Sequence, residues 1–253
     1  MKLEGGFETN VLNIVPSETV KKTIHDLAHS HLLGTNDMSI EDFAFVLSKF
    51  FLAEYEQVHS VALTIEQNEW KQLNKNGFKQ GSDYVRFVNL HAIRGNDVQL
   101  CSGIKALDIT KTTISNLLKD YKNHSTLQAV WKYPSADIDE HLKSEQGVHQ
   151  GTLDFNDTFN QVRNCIIENF AGHSIKEHYN LNAVGRTILE RVPRVKSVYL
   201  FVPIALQDNS KTFTEAFVTR HVTVPIHHHA RNNLPHWGNH LHRMNRDFYV
   251  SKL

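Results

Sequence analysis

Apolar and polar positions alternate along this chain in two distinct rhythms. Val20, Ile24, Leu27 and Ala28 recur at helical spacing, with Lys21, Lys22 and Asp26 between them, so an amphipathic helix is expected after Pro16. Ser17 is the residue type expected to cap it, and the short run Val11 to Ile14 before it is β-rich. Ser39 with Asp42 three positions on has the form of a capping box. Phe43, Val46, Leu47, Phe50 and Phe51 follow as one apolar stripe, which predicts a second helix. The rhythm then changes to period two: Val61, Leu63 and Ile65 alternate with Ala62, Thr64 and Glu66, the mark of a strand. A further strand is expected over Tyr84 to Ile93, a turn at Gly95-Asn96-Asp97, and a new strand from Val98 to Leu100.

The second half repeats the order. Ile104 to Ile109 reads as a strand. Phe155, Phe159, Val162, Ile166 and Phe170 mark a helix ending near Gly172, and Leu181, Val184, Ile188 and Leu189 mark another ending at Pro193. Val198, Leu200 and Val202 then alternate in a strand. FFLAEYEQVHSVALTI and RTILERVPRVKSVYLFV both run from a helix end through spaced valines into a strand. The expectation is an α+β fold built from a duplicated unit, an antiparallel sheet with a pair of helices on one face. The first unit is placed at residues 1–97 and the second at 98–253.

Composition narrows the partners. Lys plus Arg equals Asp plus Glu, 27 each, so nothing points to nucleic acid or an anionic membrane. Two cysteines, Cys101 and Cys165, do not make a disulfide framework, and a reducing compartment is the simpler expectation. The apolar runs are short and interrupted, so no transmembrane helix is expected, and the charged opening MKLEGG does not read as a signal peptide. The last three residues, Ser251, Lys252 and Leu253, form the tripeptide read by the peroxisomal import receptor, which makes the peroxisome the expected location. Of 17 histidines many crowd the C-terminal third, and His236 and His240 stand at i and i+4. No cysteine or carboxylate completes a tetrahedral set there, so no metal site is assigned.

The tract SGIKALDITKTT, Ser102 to Thr113, is the most informative stretch. Together with MKLEGGFET, NIVPSETVKKTIHDLA, NGFKQGS, ENFAG and ILERVPRV, in that family's order, it resembles urate oxidase (uricase). The resemblance implies tandem tunnelling-fold (T-fold) units, four subunits around a tunnel, and active sites at subunit interfaces. It also implies a cofactor-free reaction in which urate, O2 and water give 5-hydroxyisourate and hydrogen peroxide.

Such a reaction needs a cation on one edge of the purine, an amide on the other, a ring on its face and a base. In the family a lysine and a threonine form the base. The lysine belongs to an opening strand that would precede Met1, and the threonine position falls on Ser17, followed by Glu18 where the family has Asp. The stacking phenylalanine falls on Leu117. The segment bearing the clamping arginine is missing between Leu127 and Trp131. The glutamine that reads the purine edge falls on His178, and the polar oxygen site reads Pro203-Ile204-Ala205-Leu206. Ser17 also has a purely structural reading as a helix cap. The resemblance thus implies a uricase scaffold with reduced or lost activity, as a homotetramer or beside a full-length uricase. The alternative is a non-catalytic T-fold protein that binds a small heterocycle or a uricase subunit. An opening strand absent from the first unit predicts an unpaired sheet edge.

Overall fold

The computed structural model describes residues 1–5, 15–32, 38–68, 70–74, 77–81, 84–96, 98–111, 123–143, 153–172, 180–205, 211–220 and 223–224. Its elements run β1 (Lys2–Gly5), α1 (Ser17–Leu32), α2 (Ile40–Glu54), β2 (Val58–Gln67), β3 (Trp70–Asn74), β4 (Gly77–Gln80), β5 (Val85–Ile93) and β6 (Gln99–Lys111). They continue as β7 (Asn123–Lys132), α3 (Ser135–Lys143), α4 (Phe155–Gly172), α5 (Leu181–Arg191), β8 (Ser197–Ala205), β9 (Lys211–Thr219) and β10 (Thr223–Val224). Two compact units result, one of residues 1–103 with 132–160, the other of 104–131 with 161–253. The expected run at Val11 to Ile14 lies outside the described residues.

In the first unit the strand order is β1-β2-β5-β6, with β1-β2 and β2-β5 antiparallel. The register pairs Val61 with Ala92, Leu63 with Leu90 and Ile65 with Val88, so one face of both strands is apolar. Helix α2 packs on that face. Phe43, Leu47 and Phe51 are buried as the stripe requires, and Ala44 and Phe45 are buried as well. The opposite face is more polar, with the Thr64 hydroxyl donating to Asn89 Oδ1 across the strands at 2.7 Å. The α2 capping box forms as expected. The Asp42 amide donates to Ser39 Oγ at 3.0 Å, and the Ser39 hydroxyl donates back to Asp42 Oδ2 at 2.6 Å.

Helix α1 forms where its periodicity predicts, with two differences. The Val20 amide donates to the Pro16 carbonyl at 3.0 Å, so Pro16 rather than Ser17 takes the capping position, and Ser17 sits inside the first turn. No residue of α1 is fully buried, and the stripe of Val20, Ile24, Leu27 and Ala28 is half-exposed.

In the second unit the order is β6-β7-β8-β9-β10, with β8 and β9 antiparallel. Val198, Leu200 and Val202 are fully buried, and α5 packs on β8 and β9. The approach is close: a Cβ on Gly185 would lie 2.6 Å from Val218 Cγ2, so only glycine fits there. In β6, Ala106 takes φ 56°, the left-handed region that favours glycine. Around it Ile104 is buried, Lys105 half-buried, Ala106 exposed and Leu107 buried again.

The repeated helix-to-strand junction appears in both units. Tyr55 caps α2 by donating to the Phe51 carbonyl, and Val192 caps α5 by donating to Ile188. The Val58 amide donates to Tyr55 O at 3.0 Å, as the Val195 amide does to Val192 O at 3.0 Å. An arginine from the end of the following hairpin closes each turn. Arg94 Nη2 donates to the Tyr55 and Val58 carbonyls, both at 2.9 Å. Arg220 Nη2 donates to Val192 O at 3.0 Å and its Nε to Val195 O at 2.9 Å. Both arginine amides also repeat their roles, Arg94 to His59 O at 2.8 Å and Arg220 to Lys196 O at 3.3 Å.

Candidate functional site

Ser17 and Glu18 open α1 on the surface. Both are exposed, and the Glu18 carboxylate is paired with Lys21 at 2.8 Å along its own helix. Among the described residues no cation is bonded to the Ser17 hydroxyl. Leu117, His178, Leu206 and the tripeptide Ser251-Lys252-Leu253 lie outside the described residues. The backbone of Pro203, Ile204 and Ala205 belongs to β8, in register with Phe213, Thr212 and Lys211. The described residues therefore do not bring Ser17 and Glu18 together with the other expected site residues.

What the structure does assemble is a buried polar cluster in the first unit. Glu41, in the first turn of α2, is wholly buried. Its Oε2 accepts from Arg86 Nη2 of β5 at 2.6 Å, and its Oε1 accepts from the Ser102 hydroxyl of β6 at 2.6 Å. Tyr133 OH donates to Ser102 Oγ at 3.0 Å. Arg86 Nη1 donates to Asn156 Oδ1 at 2.8 Å, and Nη2 also reaches the Phe155 carbonyl at 3.5 Å. The guanidinium carbon lies 4.3 Å from the centroid of the Phe159 ring, within cation–π range. Burial raises the Glu41 pKa, and the Arg86 charge and the Ser102 hydrogen bond pull against that without overcoming it. The planar cation is thus read on its edge by a carboxylate and on its face by a ring. The carboxylate is wholly buried and engaged by the guanidinium and the Ser102 hydroxyl, which fits a structural ion pair rather than a base.

A second cluster flanks it. His141 Nε2 of α3 lies 2.8 Å from Asp42 Oδ1, and its ring stands edge-on to Phe155 at 5.0 Å and tilted against Phe45 at 5.7 Å. Burial opposes ionisation of Asp42, but hydrogen bonds from His141 and Ser39 outweigh it and hold its carboxyl below the usual range. Lys49 Nζ adds a hydrogen bond to the Leu142 carbonyl at 3.4 Å, at the end of α3.

Burial pushes the Cys101 thiol up to about 12, so it is not a nucleophile at neutral pH. Among the described residues no three His, Cys, Asp or Glu side chains gather as a metal ion would require, and no helix is long and apolar enough to cross a membrane.

Residues 6–93 match the family model described as Uricase. A uricase of Oryctolagus cuniculus is 28% identical over 204 residues, covering 76% of this chain and 66% of that protein. Uricase-2 isozyme 1 of Canavalia lineata is 26% identical over 216 residues, covering 76% and 67%. The chain thus spans about two thirds of the length of these relatives. In fold it is similar to the crystal structure of a uricase from Arthrobacter globiformis, with TM-score 0.65, 19% identity, and coverage of 89% of this chain and 85% of that one. A uricase from Bacillus fastidious gives TM-score 0.62 at 15% identity, covering 87% and 80%. Residues 6–93 thus match a uricase domain, and the chain is similar to uricases in sequence and in fold.

Proposed function

We propose that this chain is a uricase-family protein of purine breakdown that keeps the T-fold scaffold but turns over urate slowly or not at all. The observation that carries this reading is the setting of Ser17. In the position of the family's base, it is exposed in the first turn of α1, and its neighbour Glu18 is occupied by Lys21. A hydroxyl without an adjacent cation or base is a poor proton acceptor at neutral pH, and losing a positioned base costs about 10²–10⁴-fold in rate. Leu117 in place of a stacking ring, and the apolar Pro203-Ile204-Ala205-Leu206 in place of a polar oxygen site, support the same reading.

The ligand is urate or a related purine, read at one edge by His178 and packed by Leu117. As sequence repeats, distinct from the two compact units of the fold, the T-fold units are taken as residues 1–97 and 98–253. The chain acts in the peroxisome, imported through Ser251, Lys252 and Leu253, and assembles with copies of itself, as a tetramer, or with a full-length uricase. Where turnover persists, urate gives up two electrons to O2, which leaves as hydrogen peroxide, and a water oxygen adds to give 5-hydroxyisourate, with no cofactor. Equilibrium dialysis of urate against the purified chain, beside a turnover assay, tests the reading. Binding with negligible turnover is expected, and turnover abolished by Ser17→Ala refutes it.

A further inference from the structure

Side chains at i and i+4 of a helix share one face, with Cβ atoms about 5–6 Å apart. Two imidazole nitrogens that bind one zinc ion at about 2.0–2.1 Å must approach each other to about 3.3 Å. Rotation about two side-chain torsions closes that gap without bending the helix. Helix α1 carries such a pair. His25 and His29 both lie in the interior of its 16 residues, with helical backbone on either side. Both are exposed.

The surroundings of the pair favour a cation. His29 makes no hydrogen bond or ion pair among the described residues, whereas His141 is taken up by Asp42. His25 Nδ1 lies 3.7 Å from Asp26 Oδ1. A carboxylate there favours the proton on Nδ1 and leaves the Nε2 lone pair for a metal, as outer carboxylates do for metal-ligating histidines. On the same face Lys22 places a like charge one turn before His25, and Asp26 offsets it. Lys21 is tied to Glu18 at 2.8 Å. Cys101 and Cys165 are buried and do not compete for the ion.

We propose that His25 and His29 chelate one divalent cation of the zinc class on the surface of α1. Two imidazoles select zinc, nickel or copper over magnesium and calcium. Water fills the remaining positions, so the site is open and labile, short of the three-ligand arrangement that is absent among the described residues. The ion acts on the helix itself. No residue of α1 is fully buried, so the helix opens locally more readily than a buried one, and a bridge across one turn holds it closed.

The test is deuterium uptake by α1 peptides in the full chain, with zinc chloride titrated from micromolar to millimolar and magnesium chloride as control. Zinc at ten times its dissociation constant is expected to slow uptake about tenfold, and magnesium to leave it unchanged. His25→Gln and His29→Gln each abolish the slowing. His31→Gln keeps it, because Leu27 and Thr35, not histidines, stand four positions from His31. Both His25 and His29 are exposed, so their variants fold. Zinc also meets histidines elsewhere in the chain, and slowing that persists in His25→Gln or His29→Gln comes from those and overturns the proposal. Uptake unchanged by zinc in the wild-type chain, equal slowing by magnesium, or slowing lost in His31→Gln overturns it as well. None of these readouts involves urate, so the outcome is separate from the reading under Proposed function.

Discussion

Asp42 and Glu41 are adjacent carboxylates that their surroundings push in opposite directions. Asp42 is held down by His141 and Ser39, so its contribution to stability is present above the unfolded pKa near 3.8 and is lost as pH falls through the lower folded value. Glu41 is raised by burial, so its contribution is present below 4.5 and is lost as pH rises through the higher folded value. Comparing wild type with Asp42→Asn cancels the Glu41 effect. Denaturant melts should show wild type ahead by roughly 1 kcal/mol at neutral pH, with the gap closing below about pH 3.8. A gap that persists at low pH would contradict this account. At Ala106, left-handed backbone costs an L-residue about 1–2 kcal/mol, of which glycine's extra unfolded-state entropy recovers part. Ala106→Gly should therefore stabilise by roughly 0.5–1 kcal/mol, read as a higher denaturation midpoint at unchanged slope.

At the scale of the element, the arginine clamps are what the duplication preserves. Each satisfies helix-end carbonyls that α2 and α5 would otherwise leave to water, and each ties the turn to the hairpin that follows. Arg94→Ala and Arg220→Ala should each cost about 1–3 kcal/mol. Hydrogen exchange should speed up at the Val58 amide in the first variant and at the Val195 amide in the second, with Lys only partly restoring protection. Fast exchange in one unit alone would break the equivalence. Which elements were legible follows from their patterning. Helices α2 and α5 and strands β2, β5 and β8 each bury one regular face, so their apolar spacing is visible locally. The hairpin of β3 and β4 was missed because WKQLN and GFKQ carry no apolar alternation. Helix α3 was missed because Ile138 is its one fully buried side chain. The polar cluster was illegible for a different reason. Glu41 looks like an ordinary first-turn acid, and its partners Arg86 and Ser102 lie 45 and 61 residues away. Ser17 shows the limit of cap preference, since the carbonyl of Pro16 takes the capping role one residue earlier than residue type suggested.

For the whole molecule, fold and chemistry separate. The scaffold is legible in motif order along the chain and is matched by uricase structures at TM-scores of 0.65 and 0.62. On the proposed alignment, the positions that would carry the chemistry hold Ser17, Glu18, Leu117, His178 and the apolar run Pro203-Ile204-Ala205-Leu206. On the proposed reading, such replacements keep the scaffold while removing groups that bind and ionise a purine. The most direct measurement is urate consumption by the purified chain, followed through loss of urate's ultraviolet absorbance, beside the rabbit uricase under identical conditions. The account predicts a rate at least about 10²-fold below that enzyme and unchanged by Ser17→Ala. A rate within tenfold of it, falling in the Ser17→Ala variant, would contradict the account.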